Sequence, residues 1–310
     1  MSALICGSMA YDTIMVFPDQ FKNHILPDKV HMLNVSFLVP EMRREFGGCA
    51  GNIAYNLKLL GGTPLIMATV GEDFTPYAQW LDKHSISRQY LRQIDNSYTG
   101  QAFITTDRDD NQITAFHPGA MSFSHLNKVS VAKGVKIGII SPDGRQGMLD
   151  HATQFAEAEI PFIFDPGQGL PMFDGDDLKK FIHLATWITV NDYEAELLQQ
   201  RTGLSPHQIA EQVRAYIITQ GAKGSLIYTT QHRIDIPTVD AKQVLDPTGC
   251  GDAYRAGLLH GLTNNLDWET TGRIAALMGT LAIEHHGTQK HQPTKNEIHA
   301  RFKDAFGYNF

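Results

Sequence analysis

The chain has 310 residues, 42% hydrophobic and 19% charged, and its 33 acidic and 26 basic side chains leave a formal charge of −7. This composition excludes a disordered or collagenous chain, and the acidic balance without a basic block argues against nucleic-acid or membrane-surface partners. No apolar run approaches the ~20 residues of a membrane span, the start MSALICGSMAYD lacks the basic flank of a signal peptide, and three scattered cysteines without a CxxC point to a reducing, cytoplasmic setting.

Short β-branched or aromatic runs alternate with helical stretches along the chain. A strand at 4–9 comes first, and a helix at 50–60 carries Ile53, Leu57 and Leu60 at helical spacing. Strands at 65–70 and 135–141 follow, then a helix at 148–157, a strand at 161–165 and a helix at 176–184. A strand at 187–190, helices at 193–201 and 205–213, and a strand at 216–220 continue the pattern. The alternation predicts an α/β fold, a parallel sheet covered by helices on both faces. Ligands of such sheets bind beyond the carboxyl ends of the strands. Two stretches interrupt the pattern. Residues 13–45 have no helical period and contain the strand-like pieces IMVF and VSFLV. Residues 97–118 hold a hairpin, AFITT and ITAFH about a polar turn DRDDNQ. Both leave the core and return, which predicts one small β-lid made of two insertions on a single domain spanning 1–310.

Three motifs carry chemistry. In Asp246-Pro-Thr-Gly-Cys-Gly-Asp252, a strand-like segment at 242–245 enters a glycine-rich turn that opens a helix. Backbone N–H groups around Gly249 and Gly251, with the helix dipole, make an anion site. Asp252 in the first helical turn could merely complement the dipole; beside an anion site, it can instead take a proton from an attacking hydroxyl. The helix N-terminus favours a thiolate at Cys250, and Asp246 and Asp252 oppose one. Residues 47–54, GGCAGNIA, allow close backbone approach to a ligand, with Asn52 as donor and acceptor, although such a helix entry can also serve tight packing. Asn191-Asp-Tyr-Glu194 closes a strand with a polar quartet that, taken alone, reads as a helix cap with Glu at N3. Competing motifs are missing: the chain has no GxxxxGK[ST], no HRD with DFG, no HExxH and no GxSxG, and Tyr254 breaks the imitation of GxGxxG that would suggest a nicotinamide-dependent dehydrogenase. His285, His286 and His291 read as surface residues.

Together, 47–54, the NxxE set 191–194, the segment ITQGAKG at 218–224 and DPTGCGDAYRAG at 246–257 resemble the PfkB/ribokinase family of small-molecule kinases, in order and spacing, over essentially the whole chain. Within it, GSMAYD at 7–12, LNVSFLV at 33–39 and FHPGAM at 116–121 are similar to bacterial adenosine kinases and broad-specificity nucleoside kinases. The resemblance implies a ribokinase-like αβα sandwich with a β-lid, ATP and Mg2+ as cofactors, K+ as a further candidate, and phosphorylation of a nucleoside 5′-hydroxyl. It implies Asp252 as base and Gly249, Cys250 and Gly251 as the anion hole. Asp12, Gly48 and Asn52 would hold the ribose, with Ser8, Ser36, Phe116 and Gln168 at the base end. Asn191, Thr219, Gly221 and Gly224 would lie along ATP, Glu194 would organise Mg2+ through water, and Asp246 and Thr248 match monovalent-cation positions. Ala102 stands where some adenosine kinases have an aromatic, and Phe103, one residue along, falls on the other face of the strand. A sugar kinase and a catalytically silent nucleoside-binding protein are the alternatives. The apolar Ile14, Val16, Phe17, Val35, Phe37 and Leu38 suggest a homodimer through the lid.

Overall fold

The computed structural model describes residues 2–25, 32, 34–109 and 111–310. The chain opens with β1 (Ser2–Cys6), β2 (Ala10–Val16), β3 (Glu41–Gly47), α1 (Cys49–Leu59), β4 (Thr63–Val70), α2 (Thr75–Lys83) and β5 (Ser87–Gln93). Next come β6 (Gly100–Thr106), β7 (Gln112–His117), β8 (Val135–Ile140), α3 (Arg145–Glu157), β9 (Phe162–Phe164), α4 (Gly175–Leu184), β10 (Trp187–Asn191), α5 (Asp192–Thr202) and α6 (Pro206–Ala210). β11 (Ala215–Thr219), β12 (Ser225–Tyr228), β13 (Arg233–Ile236), α7 (Cys250–Thr263), α8 (Trp268–Ile283) and α9 (Lys295–Phe306) complete it.

Nine strands form one sheet in the order β13-β12-β11-β10-β9-β8-β1-β4-β5, parallel from β11 to β5 with β12 and β13 added antiparallel at one edge. In β1, at its heart, successive side chains serve opposite layers. Ala3 and Ile5 join a core with α1, α2, α7 and α8, while Leu4 and Cys6 join one with α3 to α6. Burial on both faces explains the near-continuous apolar strands. A third cluster, with Ala253, Ile274, Met278 and Phe302, seats α9 on α7 and α8.

The second sheet, β3-β2-β6-β7, is the expected lid, built from both insertions with β2 and β6 parallel. Four expectations fail locally. Residues 35–39 form no strand; Phe37 instead packs 4.7 Å from Phe17 and 5.1 Å from Phe21, ring to ring. Leu33 of the LNVSFLV motif lies outside the described residues. Residues 242–245 are exposed and irregular, because apolar β-formers without a partner strand gain nothing from extension. The helix expected at 205–213 shortens to α6. His291 is fully buried and not a surface residue: its Nε2 lies 2.6 Å from Asn56 Oδ1, and burial lowers its pKa to about 4. Among the described residues, no helix is long and apolar enough to cross a membrane.

Candidate active site

Five adjacent parallel strands end on one cavity of about 810 Å³, within the usual range for small-molecule sites. Ser8 follows β1, Asp143 follows β8, Asp165 follows β9, Asn191 closes β10 and Thr219 closes β11; all five line the cavity. The lid contributes Asp12, Ala102 and Phe116, and the start of α7 forms the remaining wall through Thr248, Gly249, Gly251 and Asp252.

Gly249 is the N-cap of α7, with φ +79°, and a Cβ there would lie 2.9 Å from Thr288 Cγ2, so conformation and space both demand glycine. The turn sets the positive end of α7 against the cavity. Asp252, at N3, accepts a 2.8 Å hydrogen bond on Oδ2 from Asn52 Nδ2. Its pKa rises to about 7: burial raises it most, the Asn52 amide pulls it down, Asp165 pushes it up, and Arg255 pulls it down. A carboxylate that exchanges its proton near neutrality beside an anion site fits a general base.

One turn further, Arg255 donates from Nε and Nη2 to Asp165 Oδ1 at 3.1 and 2.9 Å, in a buried ion pair braced by Ser141 Oγ on Asp165 Oδ2 at 2.9 Å. Sequence reasoning missed this pair, although the i, i+3 step from Asp252 and an acid closing a strand were its available signals. It also missed Asp143, a buried cavity-wall acid that burial pushes up to about 8; its Oδ1 accepts the Gly144 N–H, and Oδ2 is unpaired.

Asn191 and Glu194 form a complete capping box on α5. Asn191 Oδ1 accepts the Glu194 N–H at 2.7 Å, and the Glu194 carboxylate accepts the Asn191 N–H and NH2, each at 2.9 Å. The helix-cap reading of the quartet holds, and the same residues also line the cavity. Burial and then Asp165 raise the Glu194 pKa. Among the described residues no three His, Cys, Asp or Glu side chains converge as a metal cage. The donor set fits Mg2+ held through water and phosphate oxygens, the usual mode of that reluctantly dehydrating ion.

Several expected residues sit elsewhere or act differently. Cys250 gives the turn its backbone, but its side chain packs on the α7–α8–α9 cluster and does not line the cavity. Burial, with Asp246 and Asp252, pushes its thiol up to about 12, which overrides the helix end. Gly224 is not at the cavity; with φ +90°, a Cβ there would come within 2.1 Å of Ile236 O. Asp246 lies behind the wall, with Oδ1 accepting the Thr248 N–H at 2.9 Å and Oδ2 that of Gly287 at 3.0 Å. Those bonds outweigh burial and lower its pKa, and a monovalent cation would have to share the carboxylate with the loop. Thr248 does line the cavity, as do Thr219 and Gly221. Ser36 is exposed and away from it.

On the lid side, Ser8, Asp12, Gly48, Asn52, Phe116 and Gln168 all reach the cavity. Ser8 Oγ accepts the Cys49 N–H at 3.1 Å, tying β1 to α1. Burial, then Glu45 and Asp246, raise the Asp12 pKa to about 6, and a Cβ on Gly47 would lie 2.5 Å from Asp12 Oδ2. Register puts Asp12 opposite Ala102 and Ala102 opposite Phe116, one row across β2, β6 and β7. Phe116, 51% exposed, is thus the aromatic that the next strand places in the row of Ala102 at the cavity, while Phe103 faces away as its parity requires.

A helix N-terminus and a buried carboxylate facing a cavity under a β-lid are the arrangement of a ribokinase-like phosphotransferase acting on an alcohol. The family model of pfkB family carbohydrate kinases matches residues 9–295, and the chain belongs to that family. It is 32% identical to a nucleoside kinase of Methanocaldococcus jannaschii over 273 residues, covering 87% of this chain and 89% of that one. The structure of Burkholderia thailandensis nucleoside kinase in complex with inosine superposes with a TM-score of 0.91 at 55% identity over 99% of both chains. The ADP-inosine complex of the same enzyme gives 0.88 at 56%, over 99% of this chain and 97% of that chain.

Proposed function

We propose that this chain is an ATP-dependent nucleoside kinase that phosphorylates the 5′-hydroxyl of a purine nucleoside, adenosine or a 6-oxopurine nucleoside such as inosine. The observation that carries the reading is Asp252, a carboxylate titrating near neutrality at the start of α7. It stands between a wall built for phosphates and a lid row offering Asp12 and Phe116. The relatives named for nucleosides support the same substrate class.

In this reading Asp12, once ionised, accepts hydrogen bonds from vicinal ribose hydroxyls, and Phe116 gives the base a flat apolar contact. Asp252 takes the proton of the 5′-hydroxyl as that oxygen attacks the terminal phosphoryl group of ATP. The N–H groups of Gly249 and Gly251 stabilise charge on the transferred group, that of Cys250 being held by the Pro247 carbonyl at 3.3 Å, and Arg255, neutralised by Asp165, keeps the floor of the site from becoming purely acidic. Mg2+, when bound, would neutralise phosphate charge, with Glu194 and Asn191 orienting its water shell. The lid excludes water from the reacting oxygen.

Transfer of labelled phosphate from ATP, screened over purine and pyrimidine nucleosides, ribose and fructose, with and without potassium, tests the reading. Labelling of purine nucleosides is expected, and labelling of free sugars alone overturns it. We further propose a homodimer through the lid, since Leu38, Met42, Phe103 and Ile113 leave apolar area exposed there. A monomer at micromolar concentration in light scattering contradicts this.

A further inference from the structure

We infer that Trp80 and Gln289 are positioning residues for Asp252, because a buried hydrogen-bond chain starting at the Trp80 indole decides which way the Asn52 amide faces. The inference rests on Asp252 being the base, as proposed above.

An indole N–H can only donate. Trp80 Nε1 donates to Gln289 Oε1 at 2.8 Å, which fixes the Gln289 carbonyl toward α2 and turns its NH2 inward. That NH2 donates to Asn52 Oδ1 at 2.9 Å and to Tyr77 Oη at 2.6 Å. Tyr77 accepts because its own proton goes to the Gly47 carbonyl, 2.9 Å away. With Oδ1 occupied, Asn52 has only its NH2 to present to Asp252 Oδ2, and it does so at 2.8 Å. Reversing the Asn52 amide would set its carbonyl against the carboxylate and its NH2 against that of Gln289, two repulsive contacts. No water rescues such a flip, since Asn52 is 4% and Gln289 2% exposed.

The surroundings are shaped for this chain. Gly51 leaves room for it: a Cβ there would stand 2.0 Å from Tyr77 Oη and 3.3 Å from Gln289 Nε2. Next to Gln289, Thr288 Oγ1 donates to the Phe46 carbonyl at 2.7 Å, and the Gly287 N–H holds Asp246. Around Asp252, Cys49 faces from α1, Asp165 from the end of β9, just past Phe164, Arg255 from its own helix and Tyr77 from α2. Substitutions at 80 and 289 leave all four in the sequence.

The test uses the full chain, with kcat and nucleoside KM measured from pH 6 to 9 and thermal unfolding as a fold check. Gln289→Met keeps the volume and removes the chain's central link. Its kcat at pH 7 is expected to fall by about fivefold with KM within about threefold, and the acid limb to move up by about one pH unit, so most of the loss returns at pH 9. Trp80→Phe removes only the orienting donor and should show the same pattern at about threefold. Added to Asn52→Ala, Gln289→Met should cost little more, because both cut one path. Folded variants within twofold of wild type, losses equal at pH 6.5 and 9, or full multiplication with Asn52→Ala each overturn the inference; if Gln289→Met does not fold, Trp80→Phe decides alone. Asp252→Asn separates the two levels. Should it keep wild-type kcat, the base reading falls and this inference with it; should it be inactive while Gln289→Met is unaffected, this inference falls alone.

Discussion

Of the cavity acids with raised pKa values, the two assigned to the reaction, Asp252 at about 7 and Asp12 at about 6, set the acid side of the pH profile. Both act ionised in the proposed mechanism, so activity falls as pH drops through each value. At pH 6 about a tenth of Asp252 is ionised and at pH 8 about nine-tenths, so kcat/KM for the nucleoside rises about tenfold over that interval from Asp252 alone. Below pH 6 Asp12 protonates as well; at pH 5 it is about a tenth ionised and Asp252 about a hundredth, a combined loss of about a thousandfold with a limiting slope of two. The assay is steady-state kcat/KM for the nucleoside from pH 5 to 9 at saturating magnesium-ATP. Asp12→Asn should return the slope below pH 6 to one while leaving the step near 7. A profile flat from pH 5 to 8, or one whose slope never exceeds one in the wild type, refutes the assignment of both carboxylates to the reaction.

Other expectations follow from single contacts. Asp12→Ala should lose much of the discrimination between ribonucleosides and their 2′- or 3′-deoxy analogues, a bond to a charged group being worth about 1.5–3 kcal/mol, and unchanged kcat/KM ratios would count against it. Gly51→Ala should destabilise by about 1–3 kcal/mol through the clash with Tyr77, read as a lower midpoint in denaturant unfolding. Asp143 prefers its neutral form in the fold, with a pKa of about 8 against an ordinary 3.8, so the wild type loses stability as pH rises between these values. Asp143→Asn removes that loss and should raise the melting temperature at pH 8 more than at pH 5, by about 2–4 °C per kcal/mol; equal shifts at both would refute it. Iodoacetamide at pH 7.5 should label Cys250 at least about a hundredfold more slowly than an unburied thiol, and rapid labelling found by mass spectrometry would place the sulfur at the cavity after all.

Legibility from sequence followed the range of the interactions. Helix α1 and the parallel strands announce themselves because Ile53, Leu57 and the runs at 65–70 and 187–190 carry their own periodicity. The turn at 249–251 is readable because glycine at a left-handed position is a local requirement. The strand mistakenly expected at 242–245 has the local composition of one and lacks only a neighbour, which no local pattern reveals. β12 and β13 escaped notice because four-residue strands at an edge are too short to show a period. Gln289, Trp80 and Arg255 stayed hidden for a related reason: their partners lie far away in the chain, 209 residues for Trp80 and Gln289. Gly51 bears out the packing alternative for its motif: its small size admits the Tyr77 hydroxyl.

Asp252 and its counter-charge Arg255 share the first turns of α7, whereas Asp12, Ala102 and Phe116 come from strands of the lid. In the proposed mechanism, the machinery that moves a phosphoryl group and the surface that chooses its acceptor are therefore written in separate stretches of chain. Substitutions along the lid row can redraw the acceptor preference while the transfer helix stays untouched, so acceptor choice is free to evolve at little risk to turnover. If the proposed function holds, retargeting by mutagenesis should begin at positions 102 and 116, which line the cavity from the lid and lie outside the core clusters.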